Sequence, residues 1–371
     1  MTPVEPVTYA GAGVDVEAGD RAVELMKASV ARTHGPEVLG GIGGFAGLFD
    51  ASRLLGMRRP LLATSTDGVG TKVAVAQALD RHDTIGFDLV GMVVDDIVVC
   101  GAEPLFMTDY VACGRVVPER IAALVDGIAR ACAEAGCALV GGETAEHPGL
   151  LGPDEYDVAG AATGVVEADD VLGPDRVEPG DVLVAMASSG LHSNGYSLVR
   201  RVLQVAGWGY DRHAEELGRT VGEELLTPTR LYTRPCLDVA RDPACGVHAL
   251  SHVTGGGLAA NLARVLPAHV EAVVDRATWT PPAVFSLVAG LGRVPADDLE
   301  RTLNMGVGMV AVVAAEGADR TLERLAASGV PAWVLGEVRA AQDAAGDSAV
   351  VRGAKGVDGG GVRLVGTHPA P

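Results

Sequence analysis

The segment from Thr64 to Lys72, Thr-Ser-Thr-Asp-Gly-Val-Gly-Thr-Lys, has residue types and a spacing that suit polyphosphate binding. Backbone N–H groups at its glycines (Gly68 and Gly70) can approach phosphate oxygens, the Asp67 carboxylate can hold a divalent cation, and the lysine supplies a positive charge. The order Gly-Thr-Lys does not fit the Walker pattern, in which Gly-Lys-Ser/Thr opens a helix. The segment therefore predicts nucleotide chemistry without the P-loop fold.

Four carboxylates lie in or beside apolar surroundings, where an unpaired charge is costly. They are Asp67, Asp95, Asp96 and Glu143. Cation binding would explain them, and hard oxygen ligands without paired His or Cys favour Mg²⁺ over zinc. The alternative is structural, with Asp95 and Asp96 as a helix-surface pair and Glu143 as a capping acid.

Two polar turns are further candidates. His192 and Asn194 lie in a glycine-bounded turn between a predicted strand and helix, and His252 precedes Thr254 and a triple glycine. Both turns could bind an anion, because N–H groups at a helix start attract negative charge. No Gly-x-Ser-x-Gly, His-Glu-x-x-His or Cys/His nucleophile pattern occurs, so covalent catalysis has no support.

Three stretches fit Gly-x-Gly-x-x-Gly/Ala, at 41–46, 255–260 and 306–311. Only the stretch at 255–260 follows a predicted strand and opens a helix, and Asp275 comes twenty residues after its first glycine. That context is required for a dinucleotide fingerprint. A nicotinamide-binding second half is therefore an alternative.

Hydrophobic periodicity and turn residues predict strands alternating with helices, hence an α/β first half. Helices are predicted at 20–33, 84–100, 118–135, 196–206, 258–265 and 318–328. Strands are predicted at 60–65, 105–112, 137–140, 156–166, 181–187, 247–251, 270–274, 306–314, 332–338 and 362–365. A polar stretch at 167–175 separates domains at 1–170 and 171–343. A mobile Gly/Ala-rich insertion at 344–361 and a terminal strand and tail at 362–371 follow.

Composition limits the partners. The chain of 371 residues is 48% hydrophobic and 21% charged, with 48 acids, 29 bases and a formal net charge of −19. This charge works against nucleic acid and anionic membrane surfaces, so a small-molecule partner is favoured. Six scattered cysteines predict reduced thiols. No targeting segment or long apolar run is evident, which predicts a cytoplasmic protein.

Taken together, the motifs resemble the phosphoribosylformylglycinamidine cyclo-ligase (AIR synthetase) family, in order from about residue 9 to 340. The matching segments are Tyr9–Asp15, the glycine cluster with Phe45, Thr66–Lys72, His82–Gly86, Gly101–Pro104, Gly141–Glu146, Ser188–Gly190, His192–Leu198 and Thr254–Gly257. The resemblance implies a two-domain, mixed α/β (α+β) AIR synthase-like fold. It also implies a homodimer whose N-terminal domains contribute strands to a shared β-barrel.

The implied reaction is the fifth step of de novo purine biosynthesis, the ATP-dependent closure of formylglycinamidine ribonucleotide to 5-aminoimidazole ribonucleotide. ATP phosphorylates the formyl oxygen, and the amidine nitrogen then closes the ring with loss of phosphate. The substrate supplies its own nucleophile, in agreement with the missing nucleophile motif. The protein is left with positioning and charge stabilisation.

The resemblance also implies site residues. Asp67 and Asp96 match Mg²⁺ ligands, with Glu143 as a further ligand. The phosphate-covering loop is 43–47, with Gly43, Gly44, Phe45 and Gly47, and the nucleotide segment adds Gly68, Gly70, Thr71 and Lys72. His192, Asn194, His252 and Thr254 match substrate-facing positions. Lys27 matches a lysine near ATP, although Glu24 three residues before it favours an exposed ion pair on the residues alone.

Two positions depart from the family pattern. Asp95 stands where asparagine is usual and adds negative charge near the predicted metal, and Leu303 replaces a phenylalanine. Among rivals of the same architecture, the first cysteine, Cys100, comes too late for a selenophosphate synthetase, and the C-terminus lacks the cysteine of the hydrogenase maturation relative. A thiamine-phosphate kinase fits by size, but the 192–198 motif favours the cyclo-ligase. A nucleotide-binding regulatory protein without turnover is a further alternative.

Overall fold

Two larger β-sheets, one in each half of the chain, carry the fold. The computed structural model describes residue 8 and residues 10–41, 43–341, 349–352 and 359–370. The elements of the first half are α1 (Val16–Ala31), β1 (Val38–Leu39), β2 (Leu48–Phe49), β3 (Pro60–Gly68), α2 (Val73–Leu79), α3 (Ile85–Val98), β4 (Glu103–Cys113), α4 (Pro118–Ala135), β5 (Ala138–Glu146) and β6 (Tyr156–Glu167).

The first sheet has the order β3-β6-β4-β5. β6 is antiparallel to both β3 and β4, whereas β4 and β5 are parallel. One face carries α3 and α4, with α1 packed on α4. The opposite face leaves Leu62, Thr66, Thr108 and Tyr110 exposed. This sheet therefore has one buried face and one largely uncovered face.

The helices begin and end where the local sequence favours it. Asp15 caps α1 by accepting from the N–H of Ala18. Pro118 occupies the first turn of α4, where its missing N–H costs nothing, and Gly136 ends this helix in the left-handed conformation. α3 is buried over most of its length because the second half of the chain packs on it as well.

The second half contributes most of the remaining elements. They are β7 (Val182–Ala187), α5 (Tyr196–Ala206), β8 (His213–Ala214), β9 (Arg219–Thr220), α6 (Val221–Leu225), α7 (Thr233–Ala240), β10 (Val247–His252), α8 (Gly257–Ala263), β11 (Val270–Asp275), α9 (Ala283–Gly292), α10 (Ala296–Thr302), β12 (Val307–Val313), α11 (Ala318–Ala327), β13 (Ala332–Ala340), β14 (Val350–Arg352) and β15 (Gly361–Val365).

The second sheet has the order β10-β12-β7-β13-β11-β15-β14. Its neighbours pair antiparallel except β11 and β15, which are parallel. β10 and β11 flank the 255–260 stretch in sequence, but three other strands lie between them in the sheet. A dinucleotide fingerprint needs adjacent parallel strands around its helix, so the nicotinamide alternative is wrong.

The two halves share a hydrophobic core. The cluster that contains Leu89 and Ile128 of the first half also contains Tyr196 and Leu203 of α5 and Phe285 of α9. The sheets thus divide near residue 170, while the core continues across that point. Of the predicted insertion, residues 344–348 and 353–358 lie outside the described residues, and Val350–Arg352 forms β14. No helix in the described part of the chain is long and apolar enough to span a membrane.

Candidate active site between the two sheets

An ion pair joins the two halves of the chain at the centre of the candidate site. His252, at the end of β10, donates from Nδ1 to Asp96 Oδ1 on α3 over 2.9 Å. The Asp96 side chain is 40% exposed, whereas His252 is buried. Burial alone would lower the pKa of His252, but the hydrogen bond and charge of Asp96 and the charges of Asp95 and Asp67 raise it above the ordinary value.

Asp67 lies at the end of β3, on the edge of the first sheet. Its Oδ1 accepts from the N–H of Gly68 over 2.7 Å, and the residue is exposed. Its charge contributes to the raised pKa of His252, so Asp67 belongs to the same electrostatic environment as the Asp96–His252 pair. Asp96 therefore contacts His252 directly, and Asp67 acts on the same histidine through its charge.

His192 is a buried histidine with a free ring nitrogen. Its Nε2 accepts from the N–H of Ser189 over 3.1 Å, so the proton of the neutral ring is on Nδ1. Burial, with the charges of His252, Lys72 and Arg230, holds its pKa well below the usual range. The Nδ1 of His192 and the Nε2 of His252 are both buried and have no hydrogen-bond partner among the residues that the structure describes. Such groups are normally satisfied, so a ligand is the expected partner.

Asn194 lies against the glycine loop that follows His252. Its amide Nδ2 donates to the sulfur of Met92 over 3.3 Å, and its Oδ1 lies 3.3 Å from where a Cβ on Gly255 would stand. The loop is fixed by Asn261, whose Nδ2 donates to the carbonyl oxygens of Thr254 and Gly257 at 3.2 and 2.8 Å. The 192–194 turn and the 252–257 loop therefore face the same space.

The nucleotide segment is attached to the 192–198 turn. Ser193 Oγ donates to the carbonyl oxygen of Val69 over 2.7 Å, and the Thr71 and Ser197 hydroxyls are 3.1 Å apart. Gly70 takes a φ of 70°, which favours glycine. Lys72 was predicted beside a phosphate, but its side chain is buried and its ammonium is bound by protein acceptors. In this structure Lys72 thus forms part of the contact between the two halves of the chain.

Asp95 faces away from Asp96. Its carboxylate is fully buried and accepts from the N–H of Tyr232 over 3.0 Å and from the hydroxyl of Thr233 over 2.7 Å. Burial raises its pKa to about 6. Asp95, which stands where the family resemblance leads us to expect asparagine, therefore contacts the start of α7. Its role there is structural.

Three predicted groups lie at the surface. The ammonium of Lys27 binds Glu24 Oε2 over 2.5 Å, the ion pair that the residues alone favoured. The 43–47 loop is exposed, with Phe45 fully so. Glu143 pairs in register with Tyr110 and accepts from the N–H of Thr144 over 3.1 Å. Within the described ranges, no hydrogen bond or ion pair joins any of these groups to Asp67 or Asp96.

The sequence did not reveal three buried polar residues that position the site. They are Asp88, Asn261 and Asn304. Asn304 donates to the carbonyl oxygen of Gly190 over 2.9 Å and accepts from the N–H of Gly306 over 2.9 Å. The signal available was a short polar side chain inside an apolar run, which costs free energy unless it is paired.

The donor set suits a hard cation. Asp67 and Asp96 offer exposed carboxylate oxygens, and the charges of both raise the pKa of His252. Among the described residues, no three His, Cys, Asp or Glu side chains are close enough to hold a metal by themselves. Mg²⁺ usually takes one or two protein carboxylates and completes its shell with water and substrate phosphate, so Asp67 and Asp96 are the residues that would hold it.

Comparison with known domains defines the class. Residues 52–166 match the N-terminal domain of the AIR synthase related proteins, and residues 178–347 match their C-terminal domain. The two domains are thus those of an AIR synthase related protein. Relatives in sequence define it further, and the chain belongs to the phosphoribosylformylglycinamidine cyclo-ligase family.

Two relatives show the extent of this match. The phosphoribosylformylglycinamidine cyclo-ligase of Geobacillus kaustophilus (strain HTA426) is 50% identical over 331 residues, 89% of this chain and 95% of that protein. That of Carboxydothermus hydrogenoformans is 46% identical over 340 residues, 91% and 98% of the two chains. The family and the cyclo-ligase function that the motifs predicted are confirmed.

Solved structures confirm the fold class. The thiamine-monophosphate kinase from Stenotrophomonas maltophilia K279a covers 94% of this chain and 97% of its own, with a TM-score of 0.63 and 19% identity. The hydrogenase maturation protein HypE of E. coli gives 0.61 and 19% over 92% of both chains. At this identity the likeness concerns architecture alone.

Proposed function

We propose that the chain closes the imidazole ring of 5-aminoimidazole ribonucleotide from formylglycinamidine ribonucleotide, with conversion of ATP to ADP and phosphate. The γ-phosphoryl group moves to the formyl oxygen as the bond to the β-phosphate breaks. The amidine nitrogen then attacks the activated carbon, loses a proton, and displaces phosphate. The observation that carries the proposal is the Asp96–His252 pair, on which the charge of Asp67 also acts, in a chain of the cyclo-ligase family.

The protein's part in this reaction is to bind and orient. Asn194 and Thr254 supply polar side chains in the same two loops as His192 and His252, whose second ring nitrogens have no hydrogen-bond partner among the described residues. Hydrogen bonds from these groups to the substrate would fix the amidine nitrogen near the formyl carbon, where proximity lowers the barrier. Oriented donors would also stabilise charge on the transferred group.

The nucleotide is assigned to the edge of β3. Backbone N–H groups at Gly68, Gly70 and Thr71 are proposed to face its phosphates. Asp67 and Asp96 would hold Mg²⁺, with Glu143 as a further ligand, and the bound ion would neutralise phosphate charge. Lys27 and the 43–47 loop, with Gly43, Gly44, Phe45 and Gly47, are proposed to close over the nucleotide, since both are exposed.

We further propose a homodimer in the cytoplasm. The first sheet has a face without helices, on which Leu62 is 66% and Tyr110 is 41% exposed. Exposed apolar groups on one sheet face favour association with a second copy. Pairing of two such faces would give the expected shared barrel.

The reaction is tested by measuring ATP hydrolysis with and without formylglycinamidine ribonucleotide, together with the aminoimidazole product. We expect ADP and product in equal amounts, and hydrolysis that depends on the second substrate. Hydrolysis without stimulation or product would contradict the ring closure. Binding of ATP without any turnover would instead support the nucleotide-binding regulatory protein. Phosphorylation of thiamine phosphate would support the thiamine-phosphate kinase.

A further inference from the structure

Lys72 is a fully buried lysine whose ammonium is satisfied by the protein. Its side chain has an exposed fraction of 0%. The Nζ donates to Asp88 Oδ1 over 2.7 Å, to the carbonyl oxygen of Thr227 over 2.7 Å, and to the carbonyl oxygen of His192 over 3.0 Å. An ammonium has three N–H groups, so all of them have an acceptor.

Asp88, the acidic partner of Lys72, also binds the second half of the chain. It lies on α3, is also 0% exposed, and its Oδ1 accepts from the N–H and the hydroxyl of Thr229 at 3.0 and 2.7 Å. Lys72 and Asp88 belong to the first half of the chain, whereas His192, Thr227 and Thr229 belong to the second. The ion pair therefore joins two segments of the second half to the first.

The backbone that Lys72 binds needs such support. His192 has a φ of 58°, a left-handed conformation that a residue with a Cβ adopts only when its surroundings hold it. The next residue is also tied to the first half, because Ser193 Oγ donates to the carbonyl oxygen of Val69 over 2.7 Å. The carbonyl of His192 and the hydroxyl of Ser193 thus anchor both sides of the peptide that orients the imidazole.

From this geometry we infer that Lys72 and Asp88 are positioning residues that fix the His192 turn across the boundary between the halves, and that Lys72 does not bind the nucleotide phosphate. The inference deepens the proposed function, since His192 is one of its substrate-facing groups. A phosphate could reach the ammonium only by displacing one of the three acceptors. Displacement would leave a buried carboxylate or carbonyl without its partner, which is strongly unfavourable.

The test compares Lys72→Gln with Asp88→Asn. Three quantities are measured: the side-chain ¹⁵N and ¹H shifts of His192 in ¹⁵N-histidine protein, the Kd for MgATP, and kcat for ring closure. We expect both variants to shift the His192 signals and to lower kcat by about tenfold or more, with a Kd for MgATP within about threefold of wild type. The double variant should resemble either single variant, because the residues act as a unit.

The matched control is Glu271→Gln. It breaks the partly buried Arg363–Glu271 pair, whose atoms are 2.8 Å apart between β15 and β11. This variant should reduce stability without moving the His192 signals. If the two main variants do not fold, Thr229→Val removes only the hydroxyl bond to Asp88 and should shift His192 in the same direction by a smaller amount.

Other outcomes overturn the inference. A Kd for MgATP raised tenfold or more in Lys72→Gln alone, with unchanged His192 signals, would make Lys72 a phosphate ligand. Unchanged His192 signals in every folded variant would show that the ion pair only stabilises the fold. Should the wild-type protein form no aminoimidazole product, the proposed reaction fails, while the His192 signals still decide the role of Lys72.

Discussion

Asp95 and Asp96 are adjacent on α3, but their carboxylates contact different partners on different sides of the helix. Asp96 is partly exposed and accepts from His252, whereas Asp95 is buried and accepts from Tyr232 and Thr233. In a helix, neighbouring side chains point about 100° apart, so adjacent acids need not share a ligand. This separation distinguishes the acid that we propose as a metal ligand from a structural one.

Substitution of the two acids should therefore have different effects. Asp96→Asn should lower Mg²⁺-dependent turnover by at least about tenfold, because the carboxylate that would hold both the cation and His252 is lost. Asp95→Asn should change the Mg²⁺ concentration for half-maximal activity by less than about twofold, since the amide keeps an acceptor for α7. Titration of activity with Mg²⁺ checks both. Equal loss in the two variants would contradict the assignment.

Asp95→Ala should act on stability instead. It leaves the N–H of Tyr232 and the hydroxyl of Thr233 buried without their acceptor, at a cost on the order of 2–4 kcal/mol in the free energy of unfolding. Urea unfolding measures this loss, with Asp95→Asn as the control that retains an acceptor. A loss below about 1 kcal/mol would show that neither contact matters.

Asp67→Asn should abolish Mg²⁺-dependent turnover while the fold stays intact. The amide oxygen can still accept from the N–H of Gly68, but the charge that attracts the cation is gone. Asp157→Asn is the matched control, since Asp157 is also exposed on this sheet and accepts from the N–H of its next residue over 2.9 Å. Wild-type turnover in Asp67→Asn would remove Asp67 from the metal site.

The exposed face of the first sheet should mediate dimerisation. Leu62→Asp places a charge among the exposed residues of this face and should shift the protein from dimer to monomer. Leu150→Asp is the control, because Leu150 is 82% exposed but lies outside that sheet. Analytical ultracentrifugation distinguishes the states. A wild-type monomer at micromolar concentration, or a dimer unaffected by Leu62→Asp, would contradict the proposed interface.

Asp109 should make stability depend on pH. Burial in the first sheet raises its pKa from 3.8 to about 7. Because the folded-state pKa exceeds the unfolded one, the folded protein binds more protons between them, so this group lowers stability as pH rises from about 4 through about 7. Relative to Asp109→Asn, wild type should lose stability on the order of 4 kcal/mol over this range. Urea unfolding at several pH values, with Asp157→Asn for comparison, would show a flat difference if the pKa were ordinary.

The sequence predicted the helices and strands better than the order in which the strands pair. Helices at 118–135 and 196–206 were predicted to the residue, because Pro118 starts the first and Gly136 and Gly207 end the two. α9 was missed because its apolar residues are not confined to one stripe. The strand directions of the second sheet, which are largely antiparallel, were not predicted.

The contacts of the candidate site residues could not be predicted from the sequence. Asp67, Asp96, His192 and His252 were proposed from motifs, and the structure shows a direct contact between Asp96 and His252. The burial of Lys72 could not be read from the sequence, because its acceptors follow it by 16, 120 and 155 residues. A lysine beside glycines resembles a phosphate ligand until its tertiary partners are known.

The 43–47 loop provides a steric test of nucleotide binding. A Cβ on Gly47 would stand 2.4 Å from the carbonyl oxygen of Val140, so Gly47→Ala must push the loop away from β5. If this loop covers the phosphates, the variant should raise the KM for ATP by roughly tenfold or more while the KM for formylglycinamidine ribonucleotide changes little. Gly41→Ala is the control, because no atom of the other described residues, its chain neighbours aside, lies within 4 Å of its added Cβ. An unchanged KM for ATP in Gly47→Ala would exclude the loop from the nucleotide site.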